Sequence, residues 1–199
     1  MIETIRSHLV AASKLQADMA ESMAEPIARA AELLIAALRG GGTVYVCGNG
    51  GSAADAQHVA GELVGRFLVD RPPLPCVALT TNTSIITAVG NDYDFEQIFE
   101  RQVQALVKPG DVLWAISTSG MSVNILKAAA LARTRGAKVL GLAGRTGGKL
   151  KELCDVAVCI PADATPAVQE GHLAVLHLLC RMVEEALFAR QPKAGGVTA

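Results

Sequence analysis

The chain has 199 residues, 51% of them hydrophobic but only 4% aromatic, with 18 Lys and Arg against 19 Asp and Glu for a net charge of −1. That balance excludes a disordered chain and lacks the basic excess that drives non-specific nucleic-acid binding. No stretch approaches the roughly 18 uninterrupted apolar residues of a membrane span, and Met1–Ser7 does not open a signal peptide, so neither membrane nor nucleic acid is expected as a partner.

Met1 to Arg39 reads as helical: Ile5, Leu9, Leu15, Met19 and Met23 form a broken apolar stripe. Pro26 opens a second helical run, Ile27–Arg39, which Gly40-Gly41-Gly42 stops. Thr43–Cys47 is a β-branched strand, followed by the glycine loop Gly48–Gly51 and a helix over Ser52–Phe67. Pro72, Pro73 and Pro75 precede a second strand, Cys76–Thr80. Ser84–Val89 suits a helical turn, and Phe95–Val107 an amphipathic helix ended by Lys108-Pro109-Gly110. Val112–Ile116 is a strand, Ser117–Ser122 a polar loop, and Val123–Arg135 a helix closed by Gly136. Lys138–Ala143 and Val156–Ile160 are further strands. The last helix runs from about Val168 to Phe188, before a Gly/Pro-containing tail, Gln191–Ala199, expected to fray.

Short strands alternating with helices of roughly 10–15 residues predict an α/β fold: a three-layer sandwich with a mostly parallel five-stranded sheet flanked by helices. The expectation is a single domain over 1–199, with 1–39 an N-terminal helical segment. Ligands of such sheets bind beyond the carboxyl ends of the strands. The five cysteines, Cys47, Cys76, Cys154, Cys159 and Cys180, are odd in number and contain no C-x-x-C. Free buried thiols in a reducing cytoplasm are expected, with no disulfide framework or four-cysteine zinc site.

Gly48-Asn49-Gly50-Gly51-Ser52-Ala53 follows a strand and opens a helix. As a dinucleotide fingerprint it lacks the acidic residue after the next strand, which ends in Thr80, Thr81 and Asn82. It suits a backbone cradle for a polar ligand, with Asn49 and Ser52 as donors and acceptors, or equally a tight βα turn with no ligand. Ser117-Thr118-Ser119-Gly120-Met121-Ser122 puts four hydroxyls at the N-terminus of a helix. That suits a phosphate monoester held largely without cationic side chains; an ordinary Ser122 N-cap is the bland alternative.

His58 and Glu62 share one helix face at i, i+4, where they suit a divalent ion or a surface pair. Gln169 and His177 lie eight residues apart, about 12 Å along a helix. For both to meet one ion, either Gln169 precedes the regular helix or the site is shared with another subunit. His172 lies on another face and reads as a packing or surface histidine. Asn91-Asp92 could bind sugar hydroxyls or cap the next helix, a task Asp94 also suits.

The order CGNGGSAADAQH (Cys47–His58), Glu62, AVGNDYDFEQIF (Ala88–Phe99), ISTSG-x-S (Ile116–Ser122) and Q-E-x-H-x-x-x-x-H (Gln169–His177) resembles the sugar-isomerase (SIS) domain family. Within it the likeness is to the branch acting on a seven-carbon ketose phosphate. It spans nearly the whole chain, least specifically in the N-terminal helices and the tail. The resemblance implies a SIS fold, flavodoxin-like or Rossmann-like, with N-terminal helices that serve oligomerisation. It implies an aldose–ketose isomerase converting D-sedoheptulose 7-phosphate to D-glycero-D-manno-heptose 7-phosphate, the first step toward ADP- or GDP-heptose precursors such as those of lipopolysaccharide. Asn49, Gly50, Gly51 and Ser52 would contact the sugar phosphate, Ser117, Thr118, Ser119 and Ser122 its phosphate, and Asn91, Asp92, Glu62 and Gln169 the sugar. His58, Glu62, Gln169 and His177 would bind one zinc ion per site, with Glu62 and His177 as the acid/base pair. A homotetramer with sites between subunits is also implied.

Two positions depart from the family pattern. Met121 stands where Asn is frequent, and Thr165-Pro166-Ala167-Val168 precedes Gln169 where a charged residue is common. The competing reading is a non-catalytic SIS protein that binds a sugar phosphate or the replication initiator. Such proteins keep the phosphate loop but lack the glutamate and second histidine found here as Glu62 and His177.

Overall fold

The computed structural model describes residues 1–188, so the predicted frayed tail Gln191–Ala199 lies outside the described residues. One helix, α1, runs from Ile2 to Arg39 with Pro26 inside it, and the expected break does not occur. Proline removes the N–H that would bond the Ser22 carbonyl. Ser22 is exposed to water, while Met19, Met23, Ile27, Ala30 and Leu34 carry a buried stripe straight past the proline. Packing therefore outweighs the local defect.

The sheet comprises β1 (Val44–Gly48), β2 (Cys76–Ala78), β3 (Val112–Ile116), β4 (Lys138–Gly144) and β5 (Val156–Ile160). All neighbours are parallel, in the order β2-β1-β3-β4-β5. Between them run α2 (Gly51–Val64), α3 (Thr83–Asp92), α4 (Glu100–Leu106), α5 (Val123–Thr134), α6 (Leu150–Leu153) and finally α7 (Thr165–Phe188). The predicted turn at Ser84–Val89 is the full helix α3, whose Asn82 cap accepts from the Ile85 N–H. The predicted helix Phe95–Val107 divides into a 3₁₀ turn, Phe95–Gln97, and α4. Asp94 caps that turn by accepting from the Glu96 N–H at 2.8 Å.

Strand residues alternate between two cores. Val44, Val46, Val112, Trp114, Ile116, Leu140 and Leu142 pack beneath α1, α2 and α7. Tyr45, Cys47, Leu113, Ala115 and Val139 pack against the layer containing α4 and α5. With both faces covered, all five residues of β1 and of β3 are buried, which is why these strands read as continuous apolar runs. All five cysteines are free, and burial pushes the Cys47, Cys76, Cys154 and Cys180 thiols up to about 12.

The strand order places a topological switch point between β1 and β3, whose last paired residues are Gly48 and Ile116. From there α2 leaves toward one helical layer and α5 toward the other, opening a crevice at the carboxyl ends.

Candidate active site

The two predicted loops face each other across that crevice. Asn49 and Asn124 exchange amide hydrogen bonds: Asn49 Nδ2 donates to Asn124 Oδ1 at 2.9 Å, and Asn124 Nδ2 returns one to Asn49 Oδ1 at 2.9 Å. Gly50 sits at φ +56, the left-handed region that favours glycine. A Cβ on Gly51 would collide with the Gln169 amide, so that glycine admits α7 to the start of α2. Ser52 is buried and closes the turn, its N–H donating to the Asn49 carbonyl at 3.0 Å.

Ser122 occupies the N-cap position of α5, yet its hydroxyl makes no cap bond to the helix. It pairs with the buried Ser117 hydroxyl at 3.0 Å. The helix N-terminus is therefore not consumed by its own serine. Ser119 Oγ accepts from the Met121 N–H at 3.2 Å, and the Thr118 carbonyl accepts from the Gly144 N–H at 2.8 Å. Gly120 is at φ +65 with the Gly147 carbonyl against the position a Cβ would take, so the turn Gly147-Gly148 braces the hydroxyl loop. The arrangement offers hydroxyls and helix N–H groups to an anion.

The side chains of α2 and α7 meet further along. His58 Nε2 lies 3.0 Å from Glu62 Oε1 and 3.3 Å from His177 Nε2. The ligand atoms of His58, Glu62 and His177 all fall within 4.8 Å of one another. Tetrahedral ligands at about 2.0–2.1 Å from zinc stand about 3.3 Å apart, so this nitrogen–nitrogen–oxygen donor set fits such an ion. The imidazoles are edge-on, with centroids 5.0 Å apart, and Phe67 stacks on His177 at 5.6 Å and 24°. Among the described residues Glu62 Oε2 carries no hydrogen bond, leaving one carboxylate oxygen open while the other faces His58.

Gln169 does not reach that group by preceding the regular part of α7. The helix begins at Thr165, so Gln169 lies within it, with its amide beside Gly51. Of the two ways of joining Gln169 and His177 at one ion, the first is thus removed. Asn91 and Asp92 end α3 on the surface, bonded to each other at 2.8 Å and to no other predicted site residue. His172 is fully buried. Burial pushes its imidazole down to about 4; the Ala143 carbonyl offsets part of this without reaching hydrogen-bond geometry. Met121 points outward, its sulfur accepting from the Lys149 N–H at 3.5 Å. Pro166 stands in the first turn of α7, where a missing N–H costs nothing.

Two residues at the site carried no sequence signal strong enough to single them out. Asn124, two positions beyond Ser122, is legible only once its partner Asn49 is across the crevice. Asp55, three residues before His58, has a buried Oδ2 without a partner. Burial raises its carboxyl pKa while His58 pulls it the other way.

Residues 8–144 match the SIS domain family. The chain is 51% identical over 184 residues to the phosphoheptose isomerase of Trichlorobacter lovleyi, covering 92% of each chain. It is 59% identical over 164 residues to that of Rhodospirillum rubrum, covering 82% of this chain and 87% of the other. It also superposes on the solved phosphoheptose isomerase of Neisseria gonorrhoeae with a TM-score of 0.87 at 40% identity, covering 92% of this chain and 98% of the other. For that of Francisella tularensis the TM-score is 0.89 at 39% identity, with the same coverage.

Proposed function

The chain belongs to the SIS domain family, among its phosphoheptose isomerases, and on that footing we propose that it interconverts D-sedoheptulose 7-phosphate and D-glycero-D-manno-heptose 7-phosphate. The observation that carries this reading is the juxtaposition of His58, Glu62 and His177 at the α2–α7 contact, in a chain that also carries a hydroxyl-lined loop at the switch point.

The reaction moves a proton between C1 and C2 through an enediol. The open oxygen of Glu62 takes the C–H proton from one carbon and returns it to the other. His177, beside it, exchanges protons with the sugar oxygens. Ser117, Thr118, Ser119 and Ser122, with the N-terminus of α5, hold the phosphate without a basic patch, in keeping with a net charge of −1. Asn49, Gly50, Gly51 and Ser52 form the other wall. A zinc ion held by His58, Glu62, Gln169 and His177 would supply Lewis acidity toward the carbonyl oxygen.

The separation of Gln169 from His177, and the exposure of Asn91 and Asp92 at the end of α3, support sites completed by neighbouring subunits of a homotetramer. The first turns of α1 support the same assembly: Ile2, Ile5, Leu9 and Val10 are 73%, 55%, 62% and 63% exposed, more apolar surface than one short helical segment ordinarily leaves to water. No helix among the described residues is long and apolar enough to cross a membrane. The same reading puts the chain in the cytoplasm, at the start of heptose-precursor synthesis.

The test is incubation with D-sedoheptulose 7-phosphate, after chelation and after chelation plus zinc, with the aldose followed by NMR. Aldose that appears with zinc and fades with chelator is expected. No aldose under any metal condition overturns the reading.

A further inference from the structure

Arg71 and Glu184 form an ion pair of 2.9 Å whose side chains are 1% and 3% exposed. The resemblance assigns neither residue a role. Arg71 Nη2 donates to the Glu62 carbonyl at 2.8 Å, and Nη1 to the carbonyls of Leu63 at 2.8 Å and Pro72 at 3.0 Å. The guanidinium thus closes the last turn of α2, at the residue that carries the candidate base. Glu184 accepts backbone N–H bonds from Phe67 at 3.1 Å, Leu68 at 2.7 Å and Val69 at 3.1 Å. Burial alone would raise its carboxyl pKa, but those donors and Arg71 outweigh burial and hold it below the usual carboxylate range.

Two further relationships tie the pair to the site. Glu184 follows His177 by seven residues, nearly two turns, so both project from one face of α7. Phe67, pinned through its N–H, lays its ring on the His177 imidazole. Apolar side chains would hold α2 to α7 as well as a buried ion pair, which must first repay its own desolvation. What apolar groups cannot do is fix two helix-end carbonyls and three loop amides at one point.

We propose that Arg71 and Glu184 are positioning residues for the His58–Glu62–His177 group. They set the end of α2 that carries Glu62 and, through Phe67, the orientation of His177. This rests on the reading of that group as the metal and acid/base centre. Residues that orient metal ligands typically change metal affinity 10–100-fold when replaced.

The test compares the full chain with its Arg71→Lys, Glu184→Gln and Phe67→Leu variants. The readouts are zinc affinity by competition with a chromophoric chelator, kcat and KM for D-sedoheptulose 7-phosphate, inhibition by inorganic phosphate, melting temperature, and the His177 ring-proton NMR shifts. Zinc affinity and kcat should each fall about tenfold or more, with KM and the phosphate inhibition constant within about twofold of the parent. In Arg71→Lys and Glu184→Gln, which keep Phe67, the His177 shifts should move toward those of Phe67→Leu, in which the ring is absent. Phe67→Leu leaves the buried pair intact, so it remains informative if the other two variants do not fold. Zinc affinity and kcat within twofold of the parent in a folded variant, or unchanged His177 shifts, overturn the proposal. A parent that binds no zinc and makes no aldose defeats the functional reading instead. The ring-proton shifts then judge the positioning role by themselves.

Discussion

Asn49 at the end of β1 and Asn124 in the first turn of α5 share a reciprocal pair of 2.9 Å amide bonds that spans the switch point. Each amide satisfies the other, so the two loops around the crevice are held at one separation. Asn124 is 3% exposed, and water does not replace a lost partner easily there. Replacing Asn124 with Ala strands the Asn49 amide, at a cost of about 1–3 kcal/mol. Because Asn49 stands beside the proposed phosphate site, KM and the inorganic phosphate inhibition constant should rise roughly tenfold, with a smaller change in kcat. Steady-state kinetics with a phosphate titration measures both, and an unchanged KM removes Asn124 from the site.

Glu62→Gln keeps the size of the side chain and its contact with His58 but removes the base. Turnover should fall by about 10²–10⁴, the usual contribution of a positioned general base. Inorganic phosphate should still bind, since the hydroxyl loop belongs to a different element. A Glu62→Gln enzyme with parental kcat would show that another group takes the proton.

Gly120 combines a φ of +65 with the Gly147 carbonyl at the position of any added Cβ. Gly120→Ala must therefore strain the backbone and push the Gly147-Gly148 turn off the hydroxyl loop. A loss of about 1–3 kcal/mol in stability is expected from the backbone strain, along with weaker phosphate inhibition. Chemical denaturation and inhibition assays check the two effects separately. Parental values in both would mean the two loops are not coupled.

His172 predicts a defined acid sensitivity. Its folded pKa is pushed down to about 4, whereas an unfolded chain binds a proton on histidine near 6.5. Between those values the unfolded state holds the extra proton, so this contribution to stability is complete above pH 6.5 and is lost as the pH falls toward 4. The loss should reach roughly 2 kcal/mol at pH 5. Urea denaturation at pH 7 and pH 5 measures it, and His172→Leu should flatten the difference. An equally steep dependence in that variant would assign the acid sensitivity elsewhere.

Much of this molecule is written locally. The β-branched runs Thr43–Cys47 and Val112–Ile116, the glycine loop at Gly48–Gly51 and the hydroxyl run Ser117–Ser122 declare strands and ligand loops from neighbouring residues alone. His58 and Glu62 share a face because a helix has 3.6 residues per turn. Those signals sufficed for the α/β class, for the family and for the loops that flank the crevice. Other features depended on what lies opposite. Pro26 stays inside α1 because the layer beneath it holds the buried stripe on both sides. Gln169 comes to rest on Gly51, and not on the imidazole of His58, because α2 and α7 leave the sheet side by side. Asn49 meets Asn124 across 75 residues of chain, and Arg71 meets Glu184 across 113. Periodicity and propensity act over a few residues, so the sequence alone determined most of the elements and the residue types their loops carry. The order of strands decided which of those elements face one another, and so which polar groups, removed from water, found partners.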